Sequence, residues 1–153
     1  MNILNRFKKQ ETVPKVKVDK GVDILEVKPD FEILAEYFAQ EPHSKIKILS
    51  SPNLGEGLHY YVDEVPLSPE QYETYEKIVR ILSKEFKSPT EEHIDPKEYV
   101  FEQAEIIAEK YHRSLGRFTI EKWDEIFYYV VRDLIGYGPI QAIMEDPNIE
   151  DIS

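Results

Sequence analysis

The sequence contains no cysteine and no long apolar run. Because none of its 153 residues is Cys, disulfides, thiolate metal sites and cysteine nucleophiles are excluded, and we expect a reducing, cytoplasmic environment. No stretch approaches the roughly 18 apolar residues that a membrane-spanning helix needs. The N-terminal segment lacks the apolar centre of a signal peptide. We therefore expect a protein that neither crosses a membrane nor follows the standard export route.

Basic residues are scarce outside the N-terminal segment. Residues 1–20 contain six Lys or Arg and two acidic residues, a charge of +4, whereas the whole chain carries −11. The other 133 residues therefore carry −15. An acidic body of this kind repels phosphate groups, so we expect no nucleic-acid partner.

Residues 1–20 are predicted to form a flexible, basic N-terminal arm. Ile3 and Leu4 lie beside basic side chains, so one amphipathic turn would be able to rest on an anionic membrane. A solvated tail explains the same residues, because so few apolar side chains give only marginal membrane affinity. The candidate contacts with a membrane or a protein partner are Arg6, Phe7, Lys8 and Lys9.

Residues 21–92 are predicted to form a small α+β lobe. The pattern of apolar residues favours a strand at 22–27, a helix at 29–38, and strands at 45–51 and 57–67. The last two strands are separated by a turn rich in Gly and Pro, so a small antiparallel sheet is the simplest assembly.

Residues 93–153 are predicted to form a helical lobe that ends at the start of a strand, at 149–153. Helices at 96–115 and from Thr119 onwards follow an earlier helix at 69–86, and the three are expected to pack together. The predicted fold class is therefore α+β, a small antiparallel sheet with helices followed by a three-helix packed region. The third helix should bury one continuous face, formed by Ile120, Trp123, Phe127, Val130, Val131 and Leu134.

Capping residues mark where these helices begin and end. Ser68 with Gln71, Asp95 and Thr119 each occupy a position that favours a helix start. Gly116 is expected to end the second helix. Gly136 is expected to end the third helix in a left-handed conformation.

The segment GYGP at 136–139 does not have the pattern of a phosphate-binding loop. Such a loop needs Gly-x-x-x-x-Gly-Lys followed by Ser or Thr, and no Lys follows these glycines. Pro139 also lacks the amide that would face an anion. The glycines and the proline are instead expected to form a turn into a short helix.

Clusters of polar residues give only general signals of chemistry. Carboxylates and one imidazole near residue 93 could hold a divalent cation, but acidic residues at a helix start also favour the helix dipole. Glu64 with Glu56 or Asp63 would make a glycosidase-like pair, although such pairs arise by chance in an acidic chain. We expect no catalytic, cofactor or metal site, and structural or surface roles for three isolated histidines, His43, His59 and His112. The residues of the candidate cation cluster are Glu91, Glu92, His93, Asp95 and Glu98.

The C-terminal segment YYVVRDLIGYGPIQAIMEDPNIEDIS, residues 128–153, resembles the N-terminal domain of type II/type IV secretion ATPases. In that family a helix that ends in a Gly-x-Gly-Pro turn leads to an Asp-Pro-x-Ile-Glu-Asp-Ile stretch. Residues 60–71, YYVDEVPLSPEQ, resemble the archaeal branch, with Val65 as a departure before the proline. The residues that carry the structural motif are Gly136, Gly138, Pro139, Asp146 and Pro147.

This resemblance implies a non-catalytic docking and regulatory domain. Members of the family form hexameric rings at the cytoplasmic face of a membrane. Their ATP- and Mg²⁺-binding residues lie in a catalytic domain that would follow residue 153 in a longer parent. The implied partners are that catalytic domain, neighbouring subunits of the ring, and an inner-membrane platform or adaptor protein.

Two other functions remain open from the sequence. One is a self-contained, acidic protein-interaction module of cytoplasmic function, in which the helix at 69–86 offers Tyr72 and Tyr75 to a groove in a partner. The other is a small carboxylate-dependent hydrolase, which would need two acidic side chains to converge in a pocket.

Overall fold

The computed structural model describes residues 30–87 and 95–150, and the fold is α+β, as the sequence predicts. The strands in these ranges are β1 (Glu32–Gln40), β2 (Ser44–Ser50) and β3 (His59–Glu64), and the helices are α1 (Pro69–Glu85), α2 (Pro96–Lys110), α3 (His112–Leu115), α4 (Ile120–Leu134) and α5 (Gln141–Met144). The strands form one antiparallel sheet in the order β1-β2-β3. A 3₁₀ turn at Gly138–Ile140 precedes α5.

The helix predicted at 29–38 is wrong, because this segment is strand β1. Its backbone pairs with β2 in a register that places Tyr37 opposite Ile46. The register shifts between Ile33 and Ala35 and again between Phe38 and Gln40. These irregularities break the strict alternation by which a strand is recognised. The predicted strands at 45–51 and 57–67 are confirmed as β2 and β3, whereas the strand predicted at 22–27 lies outside the described residues.

The predicted helix starts are confirmed by hydrogen bonds. The side chain of Ser68 accepts a bond from the backbone of Gln71, and the Gln71 side chain accepts one from Ser68 in return. The side chains of Asp95 and Thr119 cap α2 and α4 by accepting bonds from backbone amides, without a bond in return. The predicted helix at 96–115 is interrupted at Tyr111 and continues as α3.

Helix α4 is the central element of the fold. Five consecutive residues at its middle are buried, because α1 and α2 pack against this part of the helix and Tyr128 reaches Glu64 at the end of β3. The prediction of one continuous buried face is wrong at both ends, since Ile120 is 84% exposed and Leu134 is 41% exposed. The buried residues are Ile126, Phe127, Tyr128, Tyr129 and Val130.

The hydrophobic core joins the two predicted lobes. Leu82 of α1, Val100 of α2 and Val130 of α4 belong to one buried cluster. The boundary at residues 92 and 93 remains a prediction, but the core contains residues from both sides of it. Among the helices of residues 30–87 and 95–150, none is long and apolar enough to cross a membrane. Of the strand predicted at 149–153, the first two residues are not in a strand and the rest lie outside the described part.

Candidate functional site

The residues that carry the family resemblance form one structural unit, here called the C-terminal corner (residues 135–148). Gly136 is needed for close approach: a Cβ atom there would lie 2.3 Å from Gln141 Oε1 and 2.8 Å from the backbone oxygen of Arg132. Gly138 has the left-handed backbone, with φ of 57°. The prediction that Gly136 adopts this conformation is therefore wrong, since the chain turns at Gly138, two residues later.

Gln141 is the buried polar residue of the corner. Its Oε1 atom accepts a hydrogen bond from the backbone N–H of Tyr137 at 2.8 Å. Its Nε2 atom donates to Glu145 at 2.8 Å. These bonds explain why nothing larger than glycine fits at position 136, because any side chain would displace the acceptor of the Tyr137 amide.

Asp146 fixes the corner to the sheet. The hydroxyl groups of Tyr37 and Tyr60 donate to its Oδ2 atom at 2.7 Å and 2.6 Å. Its Oδ1 atom accepts from the backbone N–H of Asn148 at 2.9 Å. The residue is 3% exposed. One carboxylate therefore joins β1, β3 and the turn after α5.

These donors keep Asp146 charged although it is buried. Burial by itself would raise the pKa of Asp146, but the hydrogen bonds from Tyr60, the Asn148 backbone and Tyr37 together lower this pKa below its ordinary value. Burial and the neighbouring carboxylate raise the pKa of both tyrosines, so they remain protonated donors.

The other predicted site residues have different surroundings. Pro139 and Pro147 are exposed, with Pro139 in the 3₁₀ turn and Pro147 in the turn after Asp146. Arg6, Phe7, Lys8 and Lys9, the candidate membrane or partner contacts, lie outside the described residues.

A second polar network, half-buried, joins β3 to α4. Glu64 accepts a hydrogen bond from the Tyr128 hydroxyl and another from Arg132, both at 2.7 Å. Arg132 also bonds to Asp133 and lies over the ring of Tyr129 at 4.4 Å. Glu64 is therefore held as an ion-pair partner, and this structure gives no support to a catalytic role for it.

His43 is not isolated, contrary to the sequence-based expectation. Its Nε2 atom lies 2.7 Å from Asp124 Oδ2, and its ring stacks on Tyr128 at 4.6 Å. The pair lines a cleft of about 290 Å³ that also borders Lys97 and Gln141. A His–Asp pair can transfer protons, but the Nδ1 atom of His43 is buried and has no hydrogen-bond partner within the described residues. The pair therefore connects the β1–β2 turn to α4.

His112 and Asp95 are explained locally, whereas His59 Nε2 is buried with no hydrogen-bond partner among the described residues. His112 Nδ1 lies 2.8 Å from the backbone oxygen of Glu109, at the surface. Asp95 is engaged in capping α2. In the part of the chain that the structure covers, no group of three or more His, Asp or Glu could hold a metal ion. Glu91, Glu92 and His93 lie outside that part.

A large concave surface lies between α2 and α4 and is here called the α2–α4 groove. It encloses about 1000 Å³. Its floor is aromatic: the ring of Trp123 stacks on Phe127 at 5.5 Å and meets Phe118 edge-on at 5.2 Å. Ile106 and Ile120 at its edges are 55% and 84% exposed. Exposed apolar side chains beside an aromatic floor are typical of an interaction site.

One side of the α2–α4 groove is acidic. Glu102, Glu105 and Glu109 line it from the exposed face of α2. They recur every three to four residues, so they share one side of the helix. Asp124 adds a fourth carboxylate and Arg117 the opposite charge. The groove therefore combines an apolar floor with a negative border.

Comparison with known proteins gives a relative but no established family. No family model matches the chain. The uncharacterized protein MJ1288 of Methanocaldococcus jannaschii is 31% identical over 108 residues, which cover 69% of this chain and 42% of that protein. The chain thus spans less than half the length of the relative that it matches.

Proposed function

We propose that this chain is the non-catalytic N-terminal docking and regulatory domain of an archaeal-type secretion or filament-assembly ATPase. In this role it connects a hexameric ATPase core to a membrane platform or adaptor protein at the cytoplasmic face. ATP and Mg²⁺ bind to the catalytic domain of the parent and not to this chain.

The observation that carries the proposal is the construction of the C-terminal corner. The residues that resemble the family, Gly136 and Asp146 above all, have specific positions in it: one allows close packing and the other bonds to two strands. The segment from Gly136 to Asn148 is therefore attached to the sheet through Asp146. A domain that transmits force between a motor and a partner needs such a connection.

The α2–α4 groove favours a second candidate, a self-contained acidic interaction module. The sequence favours helix α1 for this role, but α1 is less suitable. Its Tyr75 hydroxyl donates to Asp133 at 2.7 Å, and its ring contacts that of Tyr129. The groove, with its exposed isoleucines, is a better binding surface for such a module.

The two candidates predict different coding sequence after codon 153. For the motor, we expect the reading frame to continue, with a Gly-x-x-x-x-Gly-Lys-Ser/Thr loop within about 100–200 residues, a domain-scale distance. A stop codon at that point, with no ATPase sequence in frame, would leave the interaction module as the better account. Cross-linking of the longer product in native membranes should then recover a membrane-embedded partner, and recovery of cytoplasmic proteins alone would argue against the docking role.

A further inference from the structure

We propose that the α2–α4 groove binds the basic arm (residues 1–20) of the same chain. The apolar side chains of the arm would contact the aromatic floor of the groove, and its basic side chains would face the acidic border. This interaction is independent of the function proposed above, since it depends only on this chain.

The charges of the two partners are complementary. The arm carries +4, and the remainder of the chain carries −15. Glu102, Glu105 and Glu109 stand on one exposed face of α2, and among the described residues none of them forms an ion pair. Three of the arm's basic residues, Arg6, Lys8 and Lys9, fall within four positions of one another, so a short segment can meet the acidic face.

The apolar surfaces are complementary as well. Ile3, Leu4 and Phe7 recur at the spacing that places side chains on one side of a helical turn. The groove offers Trp123 and Phe118 as an aromatic floor that these side chains can contact. Helix-in-groove binding uses anchors of this kind.

The length of the intervening chain fits this arrangement. Asp30 precedes β1, whose other end reaches the cleft of His43, and that cleft shares Asp124 and Phe127 with the groove. A strand of nine residues spans about 30 Å. The 20 residues from 10 to 29 reach at most about 70 Å when extended and have a root-mean-square span of about 25 Å as a random coil. A tether whose length matches the distance to the groove gives an effective concentration of the arm in about the millimolar range. Even weak contacts are then enough to keep the arm bound.

The sequence allows a direct measurement of this contact. Trp123 is the only tryptophan of the chain and lies in the groove, and the chain has no cysteine. A nitroxide attached to Gln10→Cys therefore reports the approach of the arm by quenching Trp123 fluorescence. We expect quenching that does not change over a tenfold range of protein concentration. The same label on Asn53→Cys, at an exposed loop between β2 and β3, gives the background level.

Charge reversal tests the specificity. Arg6→Glu, Lys8→Glu and Lys9→Glu together should reduce the quenching to the background level. Adding Glu102→Lys, Glu105→Lys and Glu109→Lys should restore it, since these side chains are exposed and their replacement leaves the core intact. Circular dichroism of each variant confirms the fold.

Three results would overturn the proposal. Quenching that rises in proportion to protein concentration would show that the arm binds the groove of a second copy and not that of its own chain. Quenching at the background level in the labelled chain without charge reversal would show that the arm does not reach the groove. Binding of the same chain to phosphatidylglycerol vesicles would then show that the arm binds lipid instead. Quenching that charge reversal leaves unchanged would show that the approach is not specific to this groove.

Discussion

At the scale of single residues, Asp146 is the main connection between the C-terminal corner and the sheet. Asp146→Asn removes the charge that Tyr37 and Tyr60 bind, so we expect the free energy of unfolding at pH 7 to fall by about 1.5–3 kcal/mol, the usual contribution of hydrogen bonds to a charged group. Urea unfolding measures this loss. Glu150→Gln, an exposed change in the same segment, is the matched control and should alter stability by less than about 0.5 kcal/mol.

The effect of Asp146 should also depend on pH. Its pKa is lowered in the folded state, so its stabilising contribution is present above the unfolded pKa of about 3.9 and is lost as the pH falls through the folded value. The stability difference between the native chain and Asp146→Asn should therefore shrink in acid. A difference that stayed constant from pH 7 down to pH 3 would mean that the carboxylate is not the stabilising group.

The two glycines of the corner should respond differently to substitution. Gly136→Ala places a Cβ atom against Gln141 and the Arg132 backbone, and we expect a cost of about 1–3 kcal/mol from overpacking. Gly138→Ala meets no atom within 4 Å but must keep a positive φ, which costs roughly 1–2 kcal/mol. Adding Gln141→Ala to each variant separates overpacking at position 136 from backbone strain at position 138. It should relieve part of the Gly136 penalty and none of the Gly138 penalty.

Residue roles of this kind were only partly predictable from the sequence. The motif identified Gly136 and Asp146, but Asp146 is 109 residues from Tyr37 and 86 from Tyr60, and no local signal connects such distant positions. The His43–Asp124 pair was missed for the same reason, since 81 residues separate its members.

At the scale of secondary-structure elements, helix α4 provides the clearest test. Phe127 is buried and meets Phe101 edge-on at 5.3 Å, so Phe127→Ala should cost about 3–5 kcal/mol. Ile120→Ala, on the same helix but 84% exposed, should change stability by less than about 0.5 kcal/mol. Thermal or urea unfolding distinguishes the two. A large loss for Ile120→Ala would show that the N-terminal end of α4 is packed and that the groove is not open there.

Elements with strong local signals were predicted well. The caps at Ser68, Asp95 and Thr119 define helix starts within a few residues, so α1, α2 and α4 could be located from the sequence. Strand β1 could not, because its apolar residues follow helical spacing and its two register irregularities hide the alternation. Its structure is determined by pairing with β2, a contact outside the segment itself.

At the scale of the whole molecule, the sheet and the C-terminal corner are joined by hydrogen bonds, and α2 and α4 border an open groove. The C-terminal corner attaches the chain after α5 to the sheet, and the α2–α4 groove provides a negative border around an aromatic floor. The fold class was predictable because two strand signals, at 45–51 and 57–67, precede a run of capped helices, even though β1 has a helical pattern. The groove was not predictable, since Ile120 and Trp123 both have the spacing of core residues. Only the packing of α2 against α4 shows that Ile120 remains exposed.

Under the proposed function, this chain supplies structure and contacts to a motor, and the ATP-hydrolysing residues lie in the catalytic domain of a longer parent. The most direct measurement compares ATP hydrolysis by the 153-residue chain with hydrolysis by the product of its uninterrupted reading frame, each purified repeatedly to constant specific activity. We expect no hydrolysis by the first and Mg²⁺-dependent hydrolysis by the second. Hydrolysis by the 153-residue chain alone, or none by the longer product, would contradict the proposed function.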